Sequence, residues 1–270
     1  MVARLLIFFV LSGLLAFDAL AAASCTKLVA TGDPAYPPYL WRDPQNGRQL
    51  VGADADLLRQ LGEQLGVKIE LLYVGTQAEA DEDARSGRTD LLLATRLSLP
   101  GLEQMDYIHP AMQRTLTQVW MRKDKAFSYA GWDDLLGRHG ATSFTTALST
   151  EFDGFARQNL QLVRTPELRS AFEQLQKGQV DYVLAERYPG QLLVAQLDVA
   201  DQLVVRGPAV SSVGLYLALS HNSACNDVEL RGQLARKMTE LVDAGVPQTL
   251  LQRNLQLWKQ QALPADGSKD

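Results

Sequence analysis

Asp33 and Tyr36 lie just beyond the apolar run Lys27 to Thr31 (KLVAT), at the C-terminal end of an expected strand, where open α/β sheets present ligands. Gly32, Asp33 and Pro34 also have the composition of a plain turn. Tyr39 and Trp41 extend the same Pro-rich aromatic loop, which can face a solute or pack on its own sheet. Arg96 follows a second buried run, Thr89 to Thr95 (TDLLLAT), at the same end of the sheet as Asp33. An arginine there can grip a carboxylate through two charge-assisted hydrogen bonds, with Thr95 and Ser98 adding hydroxyls; the alternative is a merely solvated side chain. Thr145, Thr146 and Ser149 precede a helical segment, and free N–H groups at a helix start bind anions. Ser149 is also a good N-cap. These residue types suit non-covalent recognition of a small charged molecule.

Other chemistries find little support. His109, His139 and His221 are scattered without an H-E-x-x-H pattern, and two distant cysteines give no zinc spacing. There is no G-x-S-x-G elbow, Walker loop or dinucleotide fingerprint, so neither metal nor cofactor is expected. Twenty-six basic residues against 31 acidic ones leave a net charge of −5, with no basic block longer than Arg122-Lys123. That balance argues against nucleic acid or an anionic membrane as partner.

The elements that must position these residues follow from periodicity. After the first strand, Gly52 opens a segment with Leu57, Leu58, Leu61 and Leu65 at helical spacing, closed by Gly66. Val67 to Val74 is β-rich, Gln77 to Ser86 reads as a polar helix ended by Gly87, and Thr89 to Thr95 completes a strand–helix–strand–helix–strand unit with a parallel sheet. Thr115 to Arg122 is extended and leaves this sheet; His109-Pro110 reads as a turn before it. A second unit follows: a short helix at residues 132–137, a strand at 141–144, a helix at 151–159, a strand at 160–163, a helix at 166–178, the strand Val180 to Ala185 and a helix near 191–195. Val213 to Leu219 is extended and returns to the first unit, which two helices, 227–244 and 247–260, complete. One continuous and one inserted α/β unit joined by two extended crossings describe a bilobed clamp, hinged at residues 115–122 and 213–219. The expected division is 25–117 and 213–262 for the first lobe, 118–212 for the second, and 263–270 for a solvated tail.

At the N-terminus, Arg4, an apolar run from Leu5 to Phe17 and the small residues Ala19 to Ser24 read as a secretory signal peptide over residues 1–24, cleaved after Ala21 or Ala23. Asp18 stops the run short of a membrane span. Export to an oxidising compartment predicts a Cys25–Cys225 disulfide, the only pairing available. Lipidation at Cys25 is the competing reading, although Ala22 stands where a lipobox usually has Leu and Cys225 would be left alone.

From Lys27 to about Gln260 the sequence resembles the family 3 bacterial extracellular solute-binding proteins, the periplasmic subunits of polar amino-acid ABC transporters. The resemblance rests on Thr31-Gly32-Asp33 with Tyr36-Pro37-Pro38-Tyr39, on Val51-Gly52-Ala53-Asp54-Ala55-Asp56-Leu57, and on Gly87-Arg88-Thr89-Asp90. It continues through Met105-Asp106-Tyr107 with His109-Pro110, Asp134-Leu135-Leu136-Gly137 and Leu175 to Asp181. It implies an α/β, two-lobed periplasmic-binding-protein-like clamp of type II, each lobe a mainly parallel sheet flanked by helices. It also implies a monomeric periplasmic receptor for a small polar, amino-acid-like solute, working with an inner-membrane ABC permease and performing no catalysis. By the resemblance, Asp33 is an acidic position near the ligand, Tyr36 an aromatic that stacks on it, and Glu186 stands where an Asp usually receives the α-amino group. The family's carboxylate-gripping arginine falls six residues before the aromatic of Asp106-Tyr107, which here is Gly101. Either Arg96 supplies that cation or the ligand has no carboxylate there. Two other functions share the fold and stay open: a cyclohexadienyl dehydratase-like enzyme with Glu186 as general acid, and a ligand-sensing module.

Overall fold

The computed structural model describes residues 25–262, so the expected signal peptide and tail lie outside the described residues. β1 (Lys27–Gly32) is followed by a small three-stranded antiparallel sheet of β2 (Ala35–Tyr36), β3 (Leu40–Arg42) and β4 (Leu50–Val51). α1 (Ala53–Leu65) buries Leu57, Leu58 and Leu61 and is closed by Gly66 in the left-handed conformation, φ 68°, which only glycine adopts without steric cost. β5 (Lys68–Leu71), α2 (Gln77–Ser86), β6 (Leu91–Thr95) and the short α3 (Leu99–Leu102) complete the first half of this lobe. α2 starts at a capping box: Thr76 Oγ1 accepts from the Glu79 N–H at 3.4 Å, and Glu79 Oε2 accepts from the Thr76 N–H at 2.7 Å. β1 pairs in parallel with both β5 and β6.

β7 (Met105–Arg122) then leaves for the second lobe, built from β8 (His139–Ser143), α4 (Thr150–Asn159), β9 (Gln161–Thr165), α5 (Leu168–Gln176), β10 (Tyr182–Glu186) and α6 (Arg187–Gln196). β11 (Leu203–Ser220) returns, and α7 (Val228–Asp243) and α8 (Val246–Ala262) finish the first lobe. The eight-stranded order β5-β1-β6-β11-β7-β10-β8-β9 shows why the molecule has two lobes. β7 and β11 pair antiparallel along nearly their whole length; one end joins β6 and the other joins β10, while β8 pairs in parallel with β10 and β9.

Each end of this shared sheet has its own core. Leu28, Leu57, Leu61, Leu91, Leu217 and Leu234 are among the fully buried residues of the first, and Phe172, Val183, Phe152, Tyr182 and Leu184 among those of the second. The two crossings are longer than sequence periodicity suggests, because both carry interruptions. His109-Pro110 is no turn before the crossing but lies inside β7, where the register against β11 slips between Leu215 and Leu217. A proline, which has no N–H to give a ladder, is accommodated at such an irregularity. β11 slips again between Arg206 and Ser211, at Gly207 with φ 64°.

Cys25 and Cys225 form a disulfide with Cα atoms 5.6 Å apart, tying the segment before β1 to the loop after β11. The lipidation alternative is thereby set aside in this structure. Closing a 200-residue loop lowers the entropy of the unfolded chain, worth about 5 kcal/mol on the chain-entropy model. Among the described residues no helix is long and apolar enough to cross a membrane.

Candidate functional site

The C-terminal ends of the parallel strands of both lobes face one cavity of about 570 Å³. β1 delivers Asp33 to Tyr36, β6 delivers Ala94 and Arg96, β8 delivers Ser143, Thr145 and Thr146, and β10 delivers Glu186. This is the place where the chain reverses out of such sheets and where side chains from several strands converge. Ala94 itself is held at φ 55°, beside the irregularity in β6–β11 pairing that precedes Arg96.

Glu186 is the most constrained group. It is 4% exposed, and its carboxylate accepts from three donors of different origin. Tyr36 Oη donates to Oε2 in a short hydrogen bond from the first lobe; Thr115 Oγ1 on β7 donates to the same oxygen at 2.7 Å; the Ala147 N–H of the second lobe donates to Oε1 at 2.9 Å. The Ala147 loop is itself pinned, because its carbonyl accepts from Thr117 Oγ1 at 2.6 Å and Ser211 Oγ at 3.3 Å on the crossing strands. Burial, and then the Glu186 charge, push the Tyr36 phenol well up, so it stays a donor. Tyr36 also stacks tilted on Tyr39, ring centroids 4.8 Å apart.

A second junction joins the lips. Arg96 Nη1 donates across the cleft to the Thr145 carbonyl at 3.2 Å, and the Arg96 carbonyl accepts from Tyr107 Oη at 3.1 Å. Asp33 holds the Ala35 N–H at 2.9 Å, a turn that fixes the loop after β1. Its carboxyl is raised by burial, with the Ala35 hydrogen bond and the Arg96 charge pulling the other way. Across the second lobe's wall, Ser143 Oγ bonds Thr146 Oγ1 at 2.8 Å and Thr145 Oγ1 at 3.1 Å.

The structure therefore brings Asp33, Tyr36, Arg96, Thr145, Thr146 and Glu186 to one cavity. Four other expected residues are placed elsewhere. Tyr39 is fully buried behind Tyr36, against Tyr188 at 6.3 Å, and its hydroxyl has no partner. Ser98 caps α3, accepting from the Gly101 N–H at 3.1 Å, and Ser149 caps α4, accepting from the Phe152 N–H at 3.3 Å. Thr95 ends β6 outside the lining. Trp41 packs with Leu192, Leu255 and Trp258, its indole N–H on Gln261 Oε1 at 3.1 Å. Arg187, a conceivable ion-pair partner for Glu186, instead lies over the Tyr188 ring at 5.4 Å.

Gly101 explains its own lack of a side chain. A Cβ there would collide with the Tyr107 hydroxyl and come within 2.9 Å of Ser98 Oγ. At Gly101, the expected position of a carboxylate-gripping arginine, the space beside the Cα is taken by the side-chain ends of Tyr107 and Ser98.

Several lining residues carried no expectation from sequence. Gly75, Thr76 and Gln77 follow β5, and Pro166, Glu167 and Leu168 follow β9; both groups obey the strand-end rule and could have been found by it. Pro189, Leu192 and Leu193 come from α6 and Trp258 from α8, and nothing in their local sequence marks them. With Tyr73 they add apolar side chains to the lining from both lobes. Among the described residues no three His, Cys, Asp or Glu side chains are grouped to hold a metal ion.

Comparison with known proteins agrees with this geometry. The family model described as bacterial extracellular solute-binding proteins, family 3, matches residues 28–165, just over half of the chain. No curated protein matches. Among solved structures, a histidine kinase sensor domain with similarity to periplasmic binding proteins is similar at 23% identity, TM-score 0.65, over 85% of this chain and 96% of its own. The amino-acid ABC transporter substrate-binding protein AbpA from Streptococcus pneumoniae, bound to L-arginine, is similar at 20% identity, TM-score 0.62, over 86% and 95%. An ancestral arginine-binding protein bound to arginine is similar at 18% identity, TM-score 0.62, over 89% and 100%. Likeness at these identities is likeness of fold. With more than half of its residues matched by the family model, the chain belongs to the bacterial extracellular solute-binding proteins, family 3.

Proposed function

We propose that the protein is a periplasmic receptor that captures a small polar solute by closing its two lobes on it, without covalent chemistry, and delivers it as a monomer to an inner-membrane ABC permease. The observation that carries this reading is the Glu186 junction, where groups from the first lobe, a crossing strand and the second lobe meet on one carboxylate beside a ligand-sized cavity. The site we assign comprises Asp33, Tyr36, Arg96, Thr145, Thr146 and Glu186, with apolar side chains of both lobes completing the lining. The lobe division we propose, at residues 117/118 and 212/213, falls inside β7 and β11, close to the slip in their register at Arg206 to Ser211. Such an irregularity gives two long strands a place to bend without breaking the sheet.

Closure also suits a sensing module, and the similarity to a histidine kinase sensor domain favours keeping that second reading. The enzymatic alternative draws less support, since both Glu186 oxygens already accept hydrogen bonds within the protein, from Tyr36, Thr115 and the Ala147 N–H. A thermal-shift screen of amines, amino acids, dicarboxylates and prephenate against ligand-stripped protein tests the reading. A binder at 100 times its dissociation constant is expected to stabilise by about 2.7 kcal/mol. Conversion of prephenate to product would replace the receptor with an enzyme, and binding without any permease interaction would favour the sensor.

A further inference from the structure

We propose that the solute is a small organic cation, an amine or guanidinium on an apolar body, that needs no α-carboxylate. This deepens the receptor reading above and rests on it. Among the described residues, the charged side chains lining the cavity are Asp33, Glu167 and Glu186 against one cation, Arg96, so the cleft is acidic. Asp81 on α2 adds to that sign, standing near enough to Asp33 and Arg96 for both charges to act on it.

That cation is already partly engaged. Arg96 donates one of its five N–H groups to the Thr145 carbonyl across the lips and is flanked by the Asp33 and Asp81 charges. Gly101, the other position for a carboxylate anchor, has no side chain to offer. A ligand carboxylate would therefore enter an acidic cavity whose cation is already shared with two carboxylates, and desolvating a poorly paired charge is costly.

A cation meets the opposite situation. Glu186 is buried and hydrogen-bonded, but none of its three partners carries a positive charge. A carboxylate has about four acceptor sites, and three are used here, leaving capacity on Oε1. A buried carboxylate without a counter-ion is the place where an incoming ammonium or guanidinium gains most, because attraction strengthens as water is excluded. Asp33 offers a second negative charge on the opposite lobe. The lining also carries Tyr73, Leu168, Pro189, Leu192, Leu193 and Trp258, which suit an apolar body, beside the neutral polar Thr76, Gln77 and Gln196.

The test is titration calorimetry on the ligand-stripped full secreted chain with matched pairs: agmatine and L-arginine, tyramine and L-tyrosine, phenethylamine and L-phenylalanine, with succinate as an anionic control. At least one amine should bind 10-fold or more tightly than its parent amino acid. Asp33→Asn keeps the acceptor for the Ala35 N–H, so it should fold and still weaken that amine at least 10-fold; Glu186→Gln should do the same if it folds. An amino acid binding as tightly as its amine, tight succinate binding, or unchanged amine affinity in Asp33→Asn overturns the inference while leaving a solute receptor in place. Failure of every compound, cationic, zwitterionic and anionic, overturns the receptor reading with it.

Discussion

Asp54 is buried at 0% exposure with both carboxylate oxygens lacking a partner, and burial pushes its pKa up to about 8. At neutral pH the folded protein therefore holds a proton that the unfolded chain, with an ordinary value of 3.8, releases. The stability this group contributes is fully present below 3.8 and is lost as pH rises through about 8, with a slope of about 1.4 kcal/mol per pH unit inside that window. Asp54→Asn should flatten the decline in unfolding free energy between about pH 5 and 7.5, measured by urea denaturation. Equal slopes for the two proteins would show that Asp54 is ionised in the native state. Sequence alone marked Asp33, Tyr36 and Arg96 because strand-end positions are readable from periodicity, while Glu186 was marked by the family resemblance. It could not separate Ser98 and Ser149, whose hydroxyls cap helices, from Thr145 and Thr146, which line the cavity, since all four precede or begin a turn with the same residue types.

At the scale of elements, α8 is the piece whose role was least visible. Its helical pattern from Pro247 to Gln260 is plain in the sequence, yet nothing there shows that Trp258 reaches the cleft. The link is long-range. Asp56 on α1 accepts from Asn254 Nδ2 on α8 at 2.7 Å, from Arg253 in a short contact, and from Arg59 at 2.7 Å within its own helix. Asn254 is only 1% exposed, so its amide depends on that carboxylate and on the Leu250 carbonyl at 3.0 Å. Asp56→Ala should lower stability by about 2 kcal/mol, the usual cost of losing hydrogen bonds to a charged group. Because α8 also carries Trp258, the same variant should weaken solute binding, read by calorimetry at a temperature where it remains folded. Loss of stability with unaltered affinity would mean that α8 does not shape the cavity. The long strands teach a related lesson: each crossing was legible only where its pattern runs unbroken, residues 115–122 and 213–219. The proline in β7 and the slip at Gly207 in β11 hid the remainder.

On the scale of the whole molecule, the two lobes meet through few groups. Among the described residues the polar contacts include Tyr36 and Thr115 with Glu186, Thr117 with the Ala147 carbonyl, Arg96 with the Thr145 carbonyl, and Gln252 Nε2 with Tyr188 Oη at 3.1 Å; apolar contacts set Leu192 of α6 against Trp41, Leu255 and Trp258, and Tyr188 against Tyr39. These contacts are modest beside the core each lobe keeps for itself, so opening should leave both lobes folded. A solute that touches both sides adds the free energy that favours the closed arrangement, and only to the extent that it binds closed better than open. Small-angle X-ray scattering on ligand-stripped protein, before and after saturation with the tightest binder found by calorimetry, tests this most directly. The account predicts a smaller radius of gyration with solute bound; an unchanged radius at demonstrated saturation would contradict capture by lobe closure.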